Sequence, residues 1–396
     1  MTVKHGRKFL SIPGPTTVPD EVLRAMHHPA TDIYTGPLPG ITDSCLADLK
    51  KIFRTAGNPY IYISNGHGSW EAALSNVLSR GDKVLVLASG RFALGWGDMA
   101  EAMGAEVEVV PCDWRKAVDP AVVEERLRQD HSGEIKAVLV VQVDTASGVV
   151  NDIPAIRAAL DATGHNALFC VDTIASLGTM PFEMDEWGVD VAVTGSQKGL
   201  MMPPGLSFVA ANAKAEAVHQ TANLRTRYWD WTARKGELHY EKYCGTPPVQ
   251  QLYGLRTSLD LLLEEGLDSV IQRHQLLADA ARSAVEAWSE GGVIGFNILD
   301  PQQRANSVTV VTMAEGHSPD PLLEYCQQRC GVTLGIGIGG QEDSAFRIAH
   351  MGHINAPMLL GSLSVIEMGL IALGIPHGSG GAGAAIQHLG KSVPAT

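Results

Sequence analysis

A doubly wound α/β fold, a mainly parallel sheet with helices on both faces, is what this sequence predicts, and three observations predict it. The runs VLVL after Lys83, AVLVVQV from Ala137 and ALFCV from Ala167 are apolar at successive positions, as strands covered on both faces must be. Segments with helical spacing alternate with them from Lys83 onward, the rhythm of a parallel sheet. With 396 residues, 45% apolar and 18% charged, the chain can build a large core and a smaller second domain.

Residues 1–18 read as an extended N-terminal arm, since Pro13-Gly14-Pro15 forbids a helix and permits a bend. A large domain is expected over residues 19–265. Its first helix opens on the acidic turn Pro19-Asp20-Glu21 and carries Val22, Leu23 and Met26 on one side. A helix over Ile41 to Arg54, a strand over Tyr60 to Ser64 and the turn Asn65-Gly66-His67-Gly68-Ser69 follow, the turn opening a helix from Trp70 to Leu78. Strands are then expected at Val84 to Ala88, Glu106 to Val110, Ala137 to Val143, Ala167 to Val171 and Val189 to Val193, separated by helices or a short crossover. A smaller C-terminal α/β domain is expected over residues 266–396, with the amphipathic helix Leu267 to Glu290, short strands at Asn297 to Leu299 and Ser307 to Thr312, and a helix over Pro321 to Arg329. Gly335 to Gly340 satisfies GxGxxG but opens no helix in a βαβ unit, so it reads as a flexible active-site segment. The apolar run Pro357 to Leu373, interrupted by Ser362, Ser364, Glu367 and two glycines, reads as a buried helix and not a membrane span.

In a doubly wound sheet, ligands lie off the carboxyl ends of the strands. That gathers five turns into one crevice: Asn65 to Ser69, Ser89 to Phe92, Asp144 to Gly148, Asp172 to Ser176 and Ser196 to Lys198. In the stretch VDVAVTGSQKGLMMPPG, Lys198 sits where a strand hands over to a turn. An amine there suits a Schiff-base nucleophile for a carbonyl cofactor such as pyridoxal phosphate, although a lone strand-end lysine is more often an ordinary loop residue. Asp172 ends a buried strand, so its carboxylate needs donors or a cation, which either a helix-type cap or a pyridinium nitrogen supplies. The Asn65 to Ser69 turn presents free N–H groups at a helix start, an anion cradle or simply a tight connection.

Composition removes other classes. A net charge of −13 argues against nucleic acid as a partner. The six cysteines, Cys45, Cys112, Cys170, Cys244, Cys326 and Cys330, are dispersed and read as free thiols, without a second pair at metal-site spacing. No N-terminal apolar run resembles a secretory signal, so a cytoplasmic protein is expected.

The stretches IPGPTTVP, GHGSWEAAL, VDTIASLG, TGSQKGLMMPPG, YCGTPPV and FRIAHMGH span nearly the whole chain, and together they resemble the class V, fold type I pyridoxal phosphate aminotransferases of the alanine/serine-glyoxylate group. The resemblance implies Lys198 as the Schiff-base lysine and Gln197 beside it as a phosphate ligand. It implies Asp172 as the partner of the pyridine nitrogen, and Asn65, Gly66 and His67 as the phosphate turn, with Asn65 where relatives often carry a hydroxyl. Phe92 would stack on the ring, Ile174 would pack on its other face, and Thr145 would face its phenolic oxygen. Tyr243 and Thr246 would reach the phosphate of a neighbouring subunit, which implies a homodimer with shared sites. Arg347 would hold the substrate's α-carboxylate.

The activity so implied is transamination from a small amino acid, serine or alanine before aspartate, to a 2-oxo acid, glyoxylate giving glycine. Pyridoxamine-pyruvate aminotransferase is the neighbouring alternative, leaned against by Gln197 and the intact phosphate turn; a cofactor-binding protein without catalysis is the alternative from another class. Cysteine desulfurases share the class, but none of the cysteines lies in a recognisable nucleophile loop. Tyr228, Trp229 and Trp231, with Tyr34 and His350, read equally as pocket walls or as interface packing.

Overall fold

In the computed structural model, which describes residues 2–394, seven strands form the large sheet in the order Asn58–Tyr62, Ser207–Ala211, Val191–Gly195, Leu168–Asp172, Ile135–Val141, Lys83–Ala88, Glu106–Pro111. The five strands from Val191–Gly195 to Glu106–Pro111 are mutually parallel. Alternate side chains enter opposite apolar layers: Leu85, Val138, Phe169 and Ala192 pack on one face, Val86, Leu139, Cys170 and Val193 on the other. Both faces are buried, which is why these strands read as unbroken apolar runs.

The strand Ser207–Ala211 departs from the parallel pattern, pairing antiparallel with both neighbours. Its five residues follow a Pro-Pro-Gly turn and carry no alternation, so sequence reasoning passes over it. Its consequence is local: Val191–Gly195 must turn straight back on itself, and Lys198 lies on that turn. Ser196 closes the turn, its Oγ donating to Pro203 O at 2.7 Å and its N–H to Leu206 O at 3.0 Å.

A second sheet has the order Phe9–Ser11, Val332–Ile336, Ala345–Ala349, Val308–Met313, Ile294–Phe296. The N-terminal arm is therefore stitched to this sheet, Phe9 to Ser11 pairing parallel with Val332 to Leu334, before Pro13 and Gly14 run to the large sheet. The helices Val249–Glu265 and Leu267–Ser289 meet at Gly266, whose φ of +84° only glycine adopts readily.

Three expectations change. The strand expected at Asn297 to Leu299 lies at Ile294–Phe296, and the Asn297 side chain instead donates to Trp114 O and Ser147 O at 3.0 and 2.7 Å. The expected flexible segment is half strand, since Gly335 and Ile336 pair with Arg347 and Phe346. The helix Ala356–Leu373 is not buried all round. Leu359, Leu363, Ile366 and Leu370 pack inward, whereas Met368, Leu373 and Ile371, the last 66% exposed, face outward. An all-round apolar sequence cannot indicate which stripe meets the core.

Candidate active site

The carboxyl ends of the strands, the N-terminal arm and the loop after Ser196 enclose a cavity of about 280 Å³. Asn65, Gly66, His67, Phe92, Thr145, Asp172, Ile174, Gln197 and Lys198 all line it. Nine of the twelve residues singled out from sequence thus face one space.

Asp172 ends the strand Leu168–Asp172 and is 2% exposed. Its Oδ1 accepts from Ile174 N at 2.6 Å and its Oδ2 from Trp70 Nε1 at 2.6 Å. Neither donor is charged. Burial pushes its carboxyl up to about 7, the neighbouring Asp144 adds to the shift, and the two hydrogen bonds and Lys198 only partly oppose it. Trp70 was missed from sequence because a tryptophan in a helix reads as core; here it is both wall and donor.

Lys198 is 9% exposed, and its Nζ donates to Pro13 O on the arm. Burial, and then the positive charge of Arg347, lower its pKa to about 8, against the pull of Asp172 and Asp144. At pH 7 roughly a tenth of such an amine is neutral, against about one part in three thousand for an unperturbed lysine. Gly14, with φ +102°, passes so close that a Cβ there would lie 2.5 Å from Lys198 Cε and Nζ. The arm is thus the roof over the lysine.

The turn before the helix Gly66–Val77 is capped by Asn65, whose Oδ1 accepts from Gly68 N at 3.2 Å. The side chain of Asn65 is therefore engaged locally, while the N–H groups of Gly66 and His67 have no acceptor among the described residues. A Cβ on Gly66 would meet Ile174 Cδ1 at 2.5 Å, so glycine is what lets these two cavity walls approach. Gln197 Oε1 is buried without a hydrogen-bond partner. An orphaned polar atom beside a cavity is costly unless a ligand group meets it.

Asp144 also went unranked in the sequence. It is fully buried, and its carboxylate accepts from Phe92 N at 2.8 Å, Ala93 N at 3.2 Å and Ala146 N at 2.9 Å. It thereby locks the turn carrying Phe92 to the turn carrying Thr145. Burial raises its pKa as well, with those three N–H groups and Arg347 opposing.

Arg347 comes from the second sheet and is 8% exposed. Its Nε donates to Ile336 O at 2.7 Å and its Nη1 to Thr145 O at 3.1 Å. Two carbonyls thus hold the guanidinium in place while none of its described partners is a carboxylate. Burial lowers its pKa to about 10, which leaves it charged at neutral pH.

The remaining residues lie elsewhere. Tyr243 is buried against its own chain with its hydroxyl 2.8 Å from Thr42 Oγ1, and Thr246 is exposed; neither lines the cavity. Trp231 is core, stacked on Tyr60 at 5.2 Å, and His350 is buried between Asn306 O and Thr309. Trp229 backs the Asn65 to Ser69 turn, 3.4 Å from where a Cβ of Gly68 would stand. Tyr228 and Tyr34 are exposed outside the cavity.

A buried lysine and a carboxylate without a cation on one cavity, with an arginine held by the carbonyl of Thr145 on its wall, agree with what comparison finds. The aminotransferase class-V family model matches residues 9–342. This chain belongs to the class V aminotransferases. It is similar to the serine–glyoxylate aminotransferase of Methylorubrum extorquens, 40% identical with 94% of each chain covered, and to the L-aspartate–glyoxylate aminotransferase of Paracoccus denitrificans, 36% identical over 97% of this chain and 96% of the other. Among solved structures, pyridoxamine-pyruvate aminotransferase from Mesorhizobium loti superposes with a TM-score of 0.90 at 27% identity, covering 99% of this chain and 100% of that one. The fold is that of fold type I aminotransferases, and the family's cofactor is pyridoxal phosphate. The cavity fits that cofactor: the free N–H groups of Gly66 and His67 suit its phosphate, and the uncompensated buried carboxylate of Asp172 suits its ring nitrogen.

Proposed function

We propose that this aminotransferase moves the amino group of a small amino acid, serine, alanine or aspartate, to glyoxylate, forming glycine. The observation that carries the reading is one cavity lined by Lys198 and Asp172, with Arg347 donating to the carbonyl of Thr145 on its wall. The names of the relatives support glyoxylate as acceptor and leave the donor divided between serine and aspartate. A homodimer goes with the reading, with Thr246 exposed and available to a second copy.

Bound pyridoxal phosphate supplies an aldehyde that receives the amino group and a ring that accepts the electron pair left at the donor's Cα. The chain's own residues do the rest. Gly66, His67 and Gln197 would hold the phosphate, Phe92 and Ile174 would flank the ring, and Thr145 would face the ring hydroxyl. Asp172 would hold a proton on the ring nitrogen, and the positive charge there would return its own carboxyl to the ionised form. Arg347 would grip the substrate carboxylate and so fix the Cα–H bond toward Lys198. The neutral Lys198 amine would take the proton from the donor's Cα and, in the second half-reaction, return one to the Cα of the product amino acid.

The test is glycine formation from glyoxylate by the purified protein loaded with pyridoxal phosphate, with serine, alanine and aspartate as donors. Failure with all three, together with consumption of free pyridoxamine and pyruvate, would move the assignment to pyridoxamine-pyruvate transamination.

A further inference from the structure

An aspartate that caps a helix ordinarily stands just before it, as Asp119 and Asp152 do, each accepting from an N–H of the helix it opens. The helix Arg91–Met103 is different. The residue before it is Gly90, which has no side chain, and the N–H groups of Phe92 and Ala93 are taken by Asp144, 52 residues beyond Phe92. Gly90 is what admits that carboxylate, since a Cβ there would overlap the Asp144 carboxyl carbon. With its other oxygen Asp144 accepts from Ala146 N in its own turn, so one side chain clamps the helix start to the turn.

The same turn bears on the second sheet. Thr145 O accepts from Arg347 Nη1 at 3.1 Å, Ser147 O from Asn297 Nδ2 at 2.7 Å and Gly148 O from Ala305 N at 3.1 Å. Arg347 lies on the strand Ala345–Ala349, Asn297 directly follows Ile294–Phe296, and Ala305 leads into Val308–Met313. Thr145, on the turn, and Phe92, across the clamp, both line the cavity. A shift of the turn against the helix start therefore moves one cavity wall relative to the other and carries the Arg347 contact with it.

We infer that Asp144 is a positioning residue for the transamination: it keeps Phe92 and Thr145 at the cofactor ring in register with Arg347 at the substrate carboxylate, so that one buried side chain sets both ring seating and carboxylate binding. This rests on the roles proposed above for Phe92, Thr145 and Arg347. An amide cannot stand in for the carboxylate. Three N–H groups converge on the two oxygens, and in D144N the amide nitrogen, which has no free lone pair, leaves at least one of them facing another donor, so the clamp opens.

The experiment compares the wild-type enzyme, loaded with pyridoxal phosphate, with D144N, R347Q and D190N. Asp190 is the control, a carboxylate buried away from the cavity on Phe169 N, Asn212 Nδ2 and Lys214 Nζ. Measured are the dissociation constants of pyridoxal phosphate and of propionate, the visible circular dichroism of the bound cofactor, and kcat and KM for the best donor at fixed glyoxylate. In D144N both dissociation constants and the donor KM should rise roughly 5- to 50-fold, with a weaker cofactor dichroism and a lower kcat, while D190N stays within about twofold of wild type in all of them. If D144N also stays within about twofold in cofactor affinity, dichroism and propionate affinity, the inference is overturned and Asp144 is structural, as Asp190 is. Loss of propionate affinity in R347Q without loss in D144N overturns it too. Unchanged propionate affinity in R347Q overturns instead the role given to Arg347, and the cofactor measurements then decide Asp144. Should D144N not accumulate as folded protein, amide hydrogen exchange in the wild type decides: propionate should slow exchange at Phe92 and Ala93 roughly fivefold or more, and no slowing overturns the inference.

Discussion

The two ends of the seven-stranded sheet each bury an aspartate, and the two are treated in opposite ways. Asp190, at the amino end of the strand Val191–Gly195, accepts from Phe169 N at 2.8 Å and Asn212 Nδ2 at 2.8 Å, and pairs with Lys214 Nζ at 3.2 Å. Asp172, at the carboxyl end of the neighbouring strand, is as deeply buried and has two neutral donors only. The lysine nearby is turned to Pro13 O on the arm. One carboxylate is satisfied by its own chain and is structural. The other holds its charge in reserve, at a cost to the fold that a cationic ligand group offsets.

The largest effect that this contrast predicts is at Lys198. K198A should lower transamination by more than about 10³-fold and abolish the absorbance of the Schiff base between lysine and cofactor, leaving the fold intact by circular dichroism. D172N comes next. It should lower turnover by roughly 10²-fold or more while stabilising the cofactor-free protein at alkaline pH. The sign follows from its raised pKa. Between the ordinary value of 3.8 and about 7 the folded state holds more protons at Asp172 than the unfolded state does, so stability falls as pH rises through that window. Lys198, depressed to about 8, carries its full penalty below that pH, and in D172N it loses the pull of Asp172, which offsets part of the gain. At pH 8 the melting temperature of cofactor-free D172N should equal or exceed that of wild type by roughly 1–3 °C, with no gain at pH 4. A lower Tm at pH 8 would mean that Asp172 is satisfied as Asp190 is.

G14A adds a Cβ where Lys198 lies and where φ is positive, and should cost roughly 10- to 100-fold in kcat through a displaced amine. W70F removes one donor to Asp172. It should move the acid limb of the pH–rate profile upward, because an ionised Asp172 loses a stabilising hydrogen bond, with a smaller loss of maximal rate. Smallest in activity is D190N, which should retain turnover while destabilising the protein by roughly 1–3 kcal/mol in urea unfolding, since Lys214 loses its partner.

Much of the site was legible because buried parallel strands have a plain signature and their carboxyl ends are where chemistry collects. Lys198, Asp172 and the Asn65 to Ser69 turn each follow such a strand in the chain, so their meeting could be read before it was seen. Trp70, Asp144 and Gly14 could not be ranked this way. Trp70 looks like core until its N–H is found on Asp172, Asp144 like any turn residue until three N–H groups converge on it, and Gly14 like a flexible bend until Lys198 is found beneath it.

By itself, then, the sequence determined the fold class, the family resemblance and the principal charged residues of the crevice, because these follow from local periodicity and from residues placed just after strands. Only the tertiary structure decided which face of the helix Ala356–Leu373 is buried, that Tyr243 packs into its own chain, and which buried carboxylate has a cation and which has none. Those are matters of what lies opposite a side chain across long stretches of chain. For Asp172 and Asp190, two aspartates alike in burial, that difference in neighbours is what separates a structural residue from one reserved for a ligand.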